Sequence, residues 1–205
     1  MFPAVGRRRA IVVLGHGAGG GIEAPDLQAL AAALPKAGFD VALVEQPWRV
    51  AGKRIAPAPK TLDLAWVDVL AQVKEGIGRG DGSVGAVPVI VGGRSAGARV
   101  ACRTGMGTGA AGVLALAFPL HPPGKPEKSR AEELLGTGLP TLVVQGAVDP
   151  FGAPAEFPAL PPGHQLVGLP ASGHEFKVKK GEPPLLDDIT EAVAAWISTL
   201  LDSFG

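Results

Sequence analysis

A serine with the surroundings of a nucleophile stands at position 95. Residues 93–97 read Gly-x-Ser-x-Gly, and they join a short β-branched apolar run to small residues typical of a helix. A turn of this kind holds the serine in a strained backbone conformation and lifts its hydroxyl off the sheet, while the flanking glycines leave room for crossing backbone. We therefore expect Ser95 to attack an electrophilic carbon, with the N–H groups at the start of the following helix aimed at any anion that develops.

Asp149 and His174 are the residues that we expect to activate this serine. A serine hydroxyl is a poor nucleophile until a base accepts its proton, and the base needs a third group that fixes its tautomer. In a parallel α/β sheet such groups meet at the carboxyl ends of the strands. Asp149 follows the apolar stretch 140–145 and His174 follows 164–169, so the chain order is Ser95, Asp149, His174, as in other triads built on this turn.

Three further side chains are candidates for the wall of a binding pocket. His16 follows the first apolar stretch, His121 follows the fourth, and Arg94 is adjacent to the serine. Two of them have a second interpretation: His121 could cap a turn in its proline-rich loop, and Arg94 could form a structural ion pair instead of binding a substrate carboxylate. His164 stands at the start of its predicted strand, at the opposite edge of the sheet, which excludes it as the base.

Two backbone N–H groups must converge on the oxygen that gains negative charge during attack on a carbonyl. One is expected from Ala96, the residue after the serine. The other is expected from the glycine-rich loop after the first apolar stretch, where Ala18 is the favoured donor and Gly17 the alternative. These amides would form an oxyanion hole.

Six short apolar stretches are predicted to form the strands that position these residues. They cover residues 10–14, 41–44, 87–91, 112–118, 140–145 and 164–169. Helical patterns begin near residues 25, 61, 96 and 184, so that strands and helices alternate along the chain. The alternation predicts one domain over residues 1–205, a three-layer α/β/α sandwich with a mostly parallel sheet of about six strands.

The charge balance and composition exclude several classes of function. The 205 residues include 19 Lys and Arg against 19 Asp and Glu, so the formal net charge is zero and no basic patch for nucleic acid stands out. No segment reaches the length that spans a membrane, and no spaced group of His, Cys and carboxylates indicates a metal site. The single cysteine, Cys102, fits a reducing compartment, which predicts a cytoplasmic protein. The sequence does not indicate an oligomeric state.

A dinucleotide site is the main alternative for the glycine-rich loop. Gly15-x-Gly17-x-x-Gly20 matches the fingerprint of such sites, and Glu45 follows the second predicted strand as a ribose-binding acid would. However, the next helix is predicted to begin near Pro25, several residues beyond the last glycine, so a pyrophosphate would not lie on its N-terminus. We therefore expect no nucleotide and no other cofactor.

Five stretches of the chain resemble the α/β-hydrolase superfamily, and together they extend over nearly its whole length. They are residues 16–20, 92–97, 118–125, 145–152 and 173–177. Within the superfamily they are similar to a small branch that includes testis-expressed protein 30 and the hydrolase-like domain of non-specific lethal complex subunit 3. The resemblance to dienelactone hydrolases is more distant. Those enzymes carry cysteine at the position of Ser95, which argues against a close functional match.

This resemblance implies acyl transfer from a small-molecule ester or thioester, with Ser95, Asp149 and His174 as a catalytic triad. Only residues 119–138 follow the fourth predicted strand, where larger hydrolases carry a helical cap, so we expect a minimal fold with an open pocket. Some members of the branch serve as interaction domains. A non-catalytic interaction domain on a hydrolase scaffold is therefore the alternative function.

Overall fold

The structure, a computed structural model, describes residues 1–53, 55–78, 87–178, 181 and 184–204. Its strands are β1 (Ala10–Gly15), β2 (Phe39–Val44), β3 (Val89–Arg94), β4 (Gly112–Leu116), β5 (Thr141–Gly146) and β6 (His164–Leu169). They form one parallel six-stranded sheet in the spatial order β2-β1-β3-β4-β5-β6. The α/β architecture predicted from the sequence is confirmed.

Helices cover both faces of this sheet. They are α1 (Pro25–Ala33), α2 (Pro47–Val50), α3 (Pro59–Gly78), α4 (Ala96–Thr104), α5 (Ala131–Leu135) and α6 (Leu186–Asp202). Side chains of α1 and α6 belong to one apolar core, and those of α3, α4 and α5 belong to a second core on the opposite face. None of the helices in the described ranges is both long and apolar enough to cross a membrane.

The central strand β1 shows why the strands read as continuous apolar runs. Val12 and Leu14 belong to the core beneath α1 and α6, whereas Ile11 and Val13 belong to the other core. All four side chains are buried, because successive residues of a strand point to opposite faces and both faces are covered. Burial of each such side chain contributes about 1.5–3 kcal/mol to stability.

The order of the strands reverses beside β1. The chain leaves β1 for β2 at one edge and then returns to the other side of β1 to form β3. In doubly wound sheets, ligands bind in the crevice at the carboxyl ends of the strands where such a reversal occurs. The glycine-rich loop after β1 and the turn at Ser95 after β3 both lie at this crevice.

Some element boundaries differ from the predicted ones. β3 runs on to Arg94 instead of ending at residue 91, because Gly92 continues the pairing with β4, where a Cβ would lie 2.5 Å from the Leu114 carbonyl oxygen. β4 ends at Leu116, before residue 118, and the next residue, Ala117, has a φ of 45° that interrupts the strand. The helix α2 lies at a position where no helical pattern was predicted from the sequence.

Candidate active site

Ser95 lies in the turn between β3 and α4, with its backbone in the left-handed region. Its φ is 53° and its ψ is −109°, and such values cost a residue other than glycine about 1–3 kcal/mol. The Ser95 N–H donates to the Leu116 carbonyl at 2.9 Å, which fixes the turn. The packing beneath it requires glycine on both sides, because a Cβ on Gly93 or Gly97 would lie 2.3 or 2.4 Å from the Gly15 carbonyl oxygen.

Three side chains from separate loops form one hydrogen-bonded chain. Ser95 follows β3, Asp149 follows β5 and His174 follows β6. The Ser95 Oγ lies 2.9 Å from His174 Nε2, and His174 Nδ1 lies 2.8 Å from Asp149 Oδ2. Because a carboxylate only accepts hydrogen bonds, Nδ1 carries the ring proton and Nε2 is left to accept the proton of the serine hydroxyl. The structure thus brings together the three residues that the sequence singled out.

The Asp149 carboxylate is buried, and several donors surround it. Its side chain has an exposed fraction of 0%. Oδ1 accepts the Phe151 N–H at 2.8 Å, and Oδ2 accepts the Gln145 side-chain amide at 2.9 Å as well as His174. These hydrogen bonds offset the cost of removing the charge from water. Gln145 was not predicted from the sequence, although an amide at the end of an otherwise apolar strand was a signal for it.

The His174 imidazole is held by contacts on its ring and on its backbone. The Phe151 ring lies 4.2 Å from the imidazole, centroid to centroid, and is tilted by 33°. The Arg94 guanidinium donates through Nη2 to the His174 carbonyl at 2.7 Å. The end of β5 packs closely under the same loop, since a Cβ on Gly146 would lie 2.5 Å from the Gly173 carbonyl oxygen.

Arg94 forms an ion pair, which was the second interpretation of this residue. Its Nε lies 3.1 Å from Oδ2 of Asp26, in the first turn of α1. Asp26 is only 2% exposed, and burial raises the pKa of its carboxyl group even though the charge of Arg94 acts to lower it. Arg94 does line the cavity beside Ser95. Its charge is nevertheless neutralised by Asp26, so its main effect is to connect the start of α1 to the His174 loop.

The glycine-rich loop after β1 lies against the serine. A Cβ on Gly17 would lie 3.3 Å from Ser95 Cβ. Gly17, Ala18 and Ala96 all line the cavity that contains Ser95. Ala96 is the first residue of α4, so its N–H has no acceptor within the helix and is available to a ligand.

His16 is not part of the pocket wall, contrary to the expectation from the sequence. Its exposed fraction is 0%, and it does not line the cavity. His16 Nε2 accepts the Gln46 N–H at 3.0 Å, and Nδ1 lies 2.8 Å from the Gly17 carbonyl oxygen. Because Nε2 accepts, Nδ1 carries the proton and donates to Gly17. The imidazole therefore fixes the backbone of the glycine-rich loop from behind.

His121 also lies outside the lining of the cavity. Its Nδ1 lies 2.9 Å from the Pro122 carbonyl oxygen, and its Nε2 lies 3.0 Å from a carboxylate oxygen of Glu156. The hydrogen bond to Pro122 and the carboxylate of Glu156 raise the pKa of the imidazole. The residue ties the loop after β4 to the turn at Pro154–Glu156, which agrees with the turn-capping interpretation.

A cavity of about 630 Å³ opens in front of Ser95. It is bordered by the glycine-rich loop, the start of α4, and the loops that follow β4, β5 and β6. Two arginines that sequence analysis did not single out, Arg99 and Arg130, belong to its lining. The position of Arg99 one helical turn after Ser95 was a signal that could have identified it. Arg130 had no such signal, because only the fold brings it to this site.

The glycine-rich loop does not have the arrangement of a dinucleotide site. α1 begins at Pro25, so Gly20 does not open that helix. The Glu45 carboxylate lies 3.3 Å from Arg49 Nε, so it already pairs with a charged side chain of the protein. The glycine-rich loop borders the cavity at Ser95 instead.

A comparison with protein-family models identifies the family of this fold and site. The model described as an alpha/beta hydrolase domain matches residues 8–202. A search of curated proteins gave no significant match.

Solved structures with a similar fold include three hydrolases. An α/β serine hydrolase without a lid from Xanthomonas campestris has a TM-score of 0.71 and 17% identity, over 97% of this chain and 86% of that one. Dienelactone hydrolase from Anabaena variabilis has a TM-score of 0.68 and 19% identity, over 96% and 88%. Monoacylglycerol lipase from Paleococcus ferrophilus has a TM-score of 0.68 and 15% identity, over 97% of both chains. These identities show a shared fold alone, but the family model covers all six strands and the loops around Ser95, and the chain belongs to the alpha/beta hydrolase domain family.

Proposed function

We propose that this protein is a serine hydrolase that cleaves a small ester or thioester through a covalent acyl-enzyme. The observation that carries the proposal is the hydrogen-bonded chain from Ser95 Oγ through the His174 ring to the buried Asp149, with successive distances of 2.9 and 2.8 Å. A nucleophile, a base and an orienting acid require this connectivity. Family membership and the hydrolases of similar fold support the same reaction class.

In the acylation step, Ser95 Oγ attacks the substrate carbonyl carbon while His174 Nε2 accepts the hydroxyl proton. Asp149 holds the Nδ1–H group and stabilises the imidazolium that forms. The bond between the carbonyl carbon and the leaving oxygen or sulfur then breaks, and His174 delivers its proton to that atom. In the second step His174 removes a proton from a water molecule, which attacks the acyl carbon. The bond between that carbon and Ser95 Oγ then breaks, His174 returns the proton to Oγ, and the acid is released.

The backbone N–H groups of Ala96 and Ala18 are proposed to bind the oxyanion, with Gly17 as the alternative to Ala18. The Ala96 N–H lies at the positive end of α4, which favours a developing negative charge. Loss of one donor of this kind typically lowers kcat by about 10²–10³. The position of all three residues in the cavity lining supports this assignment.

The narrower assignments made from the sequence are part of the same proposal. They comprise one domain over residues 1–205, membership of the branch of testis-expressed protein 30 and the non-specific lethal complex subunit, and a cytoplasmic location. The proposed substrate is small and soluble. Between β4 and β5 the chain holds α5 and one 3₁₀ turn at Pro126–Lys128, which supports an open pocket without a cap domain.

Labelling with a fluorophosphonate, followed by intact mass spectrometry, tests the proposal alongside hydrolysis of short-chain p-nitrophenyl esters. We expect one adduct on the wild-type protein, none on Ser95→Ala, and a loss of at least about a thousandfold in kcat in that variant. Ser203→Ala is the matched control, since Ser203 is exposed at the end of α6. A folded wild-type protein with neither adduct nor turnover would overturn the proposal and favour the non-catalytic interaction domain.

A further inference from the structure

The cavity at Ser95 carries one positive charge that the protein does not neutralise. Its charged lining residues are Glu23, Arg94, Arg99, Arg130, Glu175 and Lys177. All but one of these side chains lie within 4.0 Å of an opposite charge, and each partner is a residue that the structure describes. The exception is Arg130, which has no carboxylate within that distance among the described residues.

Arg130 is placed by its neighbours but leaves most of its donors free. Its backbone N–H donates to the Leu120 carbonyl at 2.7 Å, and Nη1 donates to the Pro119 carbonyl at 3.1 Å. A guanidinium has five N–H donors, and no other acceptor for them lies in the described part of the chain. Burial and the charge of Arg99 lower the pKa of Arg130 by more than the Glu133 carboxylate raises it, so the surroundings on balance disfavour its positive charge and an anion would relieve this.

Arg99 adds hydrogen-bond donors to the cavity without adding net charge. Glu133 accepts from Arg99 Nε at 2.8 Å and from Nη2 at 2.6 Å, which leaves Nη1 directed elsewhere. Arg103 shares this carboxylate and is also bound by Asp63 at 2.6 Å. The two arginines and two carboxylates of this cluster are electrically balanced, so the excess charge belongs to Arg130.

The position of Arg99 sets the distance between this charge and the nucleophile. Arg99 is in the first turn of α4, and its N–H donates to the Ser95 carbonyl at 3.2 Å. Four residues of helix rise about 6 Å along the axis. Ser95, Arg99 and Arg130 also line the same cavity, so a substrate whose carbonyl carbon lies at Ser95 can place an anionic group, a few bonds away, between the two arginines.

We propose that Arg130, assisted by Arg99, binds a carboxylate of the substrate, so that the preferred esters or thioesters carry one negative charge a few bonds from the scissile carbonyl. The inference rests on the proposed hydrolase function and names its substrate class. A carboxylate fits because its planar pair of oxygens matches the guanidinium fork and its single charge matches the single excess charge. The carboxylate can belong to the acyl part or to the leaving group.

Two pairs of esters, assayed by pH-stat, distinguish these two sources. Monoethyl glutarate and ethyl hexanoate differ in a carboxylate on the acyl part. The acetyl esters of p-hydroxybenzoate and p-hydroxybenzamide differ in a carboxylate on the leaving group. We expect the wild-type protein to prefer the anionic member of one pair by about tenfold or more in kcat/KM, as a charge-assisted hydrogen bond provides.

Variants of Arg130 connect this preference to the guanidinium. Arg130→Met should reduce the ratio of kcat/KM for the anionic and neutral esters to near one, and Arg130→Lys should retain part of it. Lys128→Met is the matched control, because Lys128 is exposed in the same loop and its loss removes the same charge. A displaced loop that lowers kcat/KM for both esters equally leaves this ratio unchanged. Equal rates for both members of both pairs, or a ratio unchanged in Arg130→Met, would overturn the proposal.

A protein that lacks hydrolase activity would give results different from those of a hydrolase that lacks the carboxylate site. If the wild-type protein hydrolyses no ester and gives no fluorophosphonate adduct, calorimetric titration of Ser95→Ala with glutarate and with p-hydroxybenzoate decides the question of the carboxylate site. Binding that disappears in Ser95→Ala with Arg130→Met supports the site without the reaction. Absence of binding to both anions in that case overturns the site as well.

Discussion

Gln145 shows that single residues outside the cavity can decide how the Asp149 carboxylate and the His174 ring are held. Its side-chain amide donates to Asp149 Oδ2 at 2.9 Å and to the Gly152 carbonyl at 2.8 Å. It is fully buried at the end of β5. One residue thus both orients the carboxylate and fastens the loop that carries it.

Gln145→Met keeps a similar volume but removes both hydrogen bonds. We expect kcat to fall by about tenfold with KM nearly unchanged, because His174 loses a fixed partner while the cavity lining stays intact. The free energy of unfolding should fall by about 1–3 kcal/mol, since acceptors are left unpaired in the core. Steady-state kinetics and urea unfolding measure the two effects. Gln72→Met, on the exposed face of α3, is the control, and a change in KM alone would contradict the positioning role.

At the scale of elements, a network of two carboxylates and two arginines joins three helices on the same face of the sheet. Glu133 on α5 binds Arg99 and Arg103 of α4, and Arg103 in turn binds Asp63 of α3 with Nε–Oδ2 and Nη2–Oδ1 distances of 2.9 and 2.6 Å. Each of these side chains is between 19% and 24% exposed. Such partly buried, bidentate pairs are stronger than isolated surface pairs. The network holds α4, and with it the Ser95 turn, against its neighbours.

Glu133→Gln should change how the free energy of unfolding depends on pH. Burial acts to raise the pKa of Glu133, but Arg99 and Arg103 outweigh it and lower the pKa below its usual value of 4.5. A carboxylate with a lowered pKa stabilises the fold above its unfolded pKa and loses that effect as the pH falls through the folded value. The wild-type protein should exceed the variant by about 1–2 kcal/mol at neutral pH.

Urea unfolding across this pH range provides the measurement. The difference between the wild-type protein and Glu133→Gln should shrink steadily as the pH falls below 4.5. Glu132→Gln is the matched control, because Glu132 is the exposed neighbour on the same helix. A difference that does not vary with pH would show that the carboxylate charge is not what binds the helices.

At the scale of the whole molecule, the sheet brings together residues that are far apart in the chain. Ser95, Asp149 and His174 each follow a different strand, and β3, β5 and β6 run parallel, so all three lie at one edge. Helices on both faces bury the strands that carry them. The geometry of the site therefore depends on the regular spacing of the sheet and not on the flexibility of any one loop.

Because the sheet determines the geometry of the site, it also determines which parts of the site could be predicted from the sequence. Ser95 and the strands are marked by local patterns of glycines and β-branched residues, and a position after a strand indicates the correct edge of the sheet. Such a position does not say where a side chain points. His16 and His121 follow strands as expected but turn toward Gly17 and Glu156. Arg130 reaches the cavity because the chain between β4 and β5 packs beside α4, and no local pattern contains that contact.

The left-handed backbone of Ser95 implies a trade-off between stability and activity. Its φ of 53° suits glycine, so Ser95→Gly relieves the strain that Ser95→Ala retains. After the entropic cost of glycine, Ser95→Gly should be about 1 kcal/mol more stable than Ser95→Ala, as measured by urea unfolding. Equal stabilities would mean that the turn is not strained. The expected result would mean that selection for stability alone would favour glycine over a residue with a Cβ at this turn, a preference that the proposed need for a hydroxyl at position 95 would counteract.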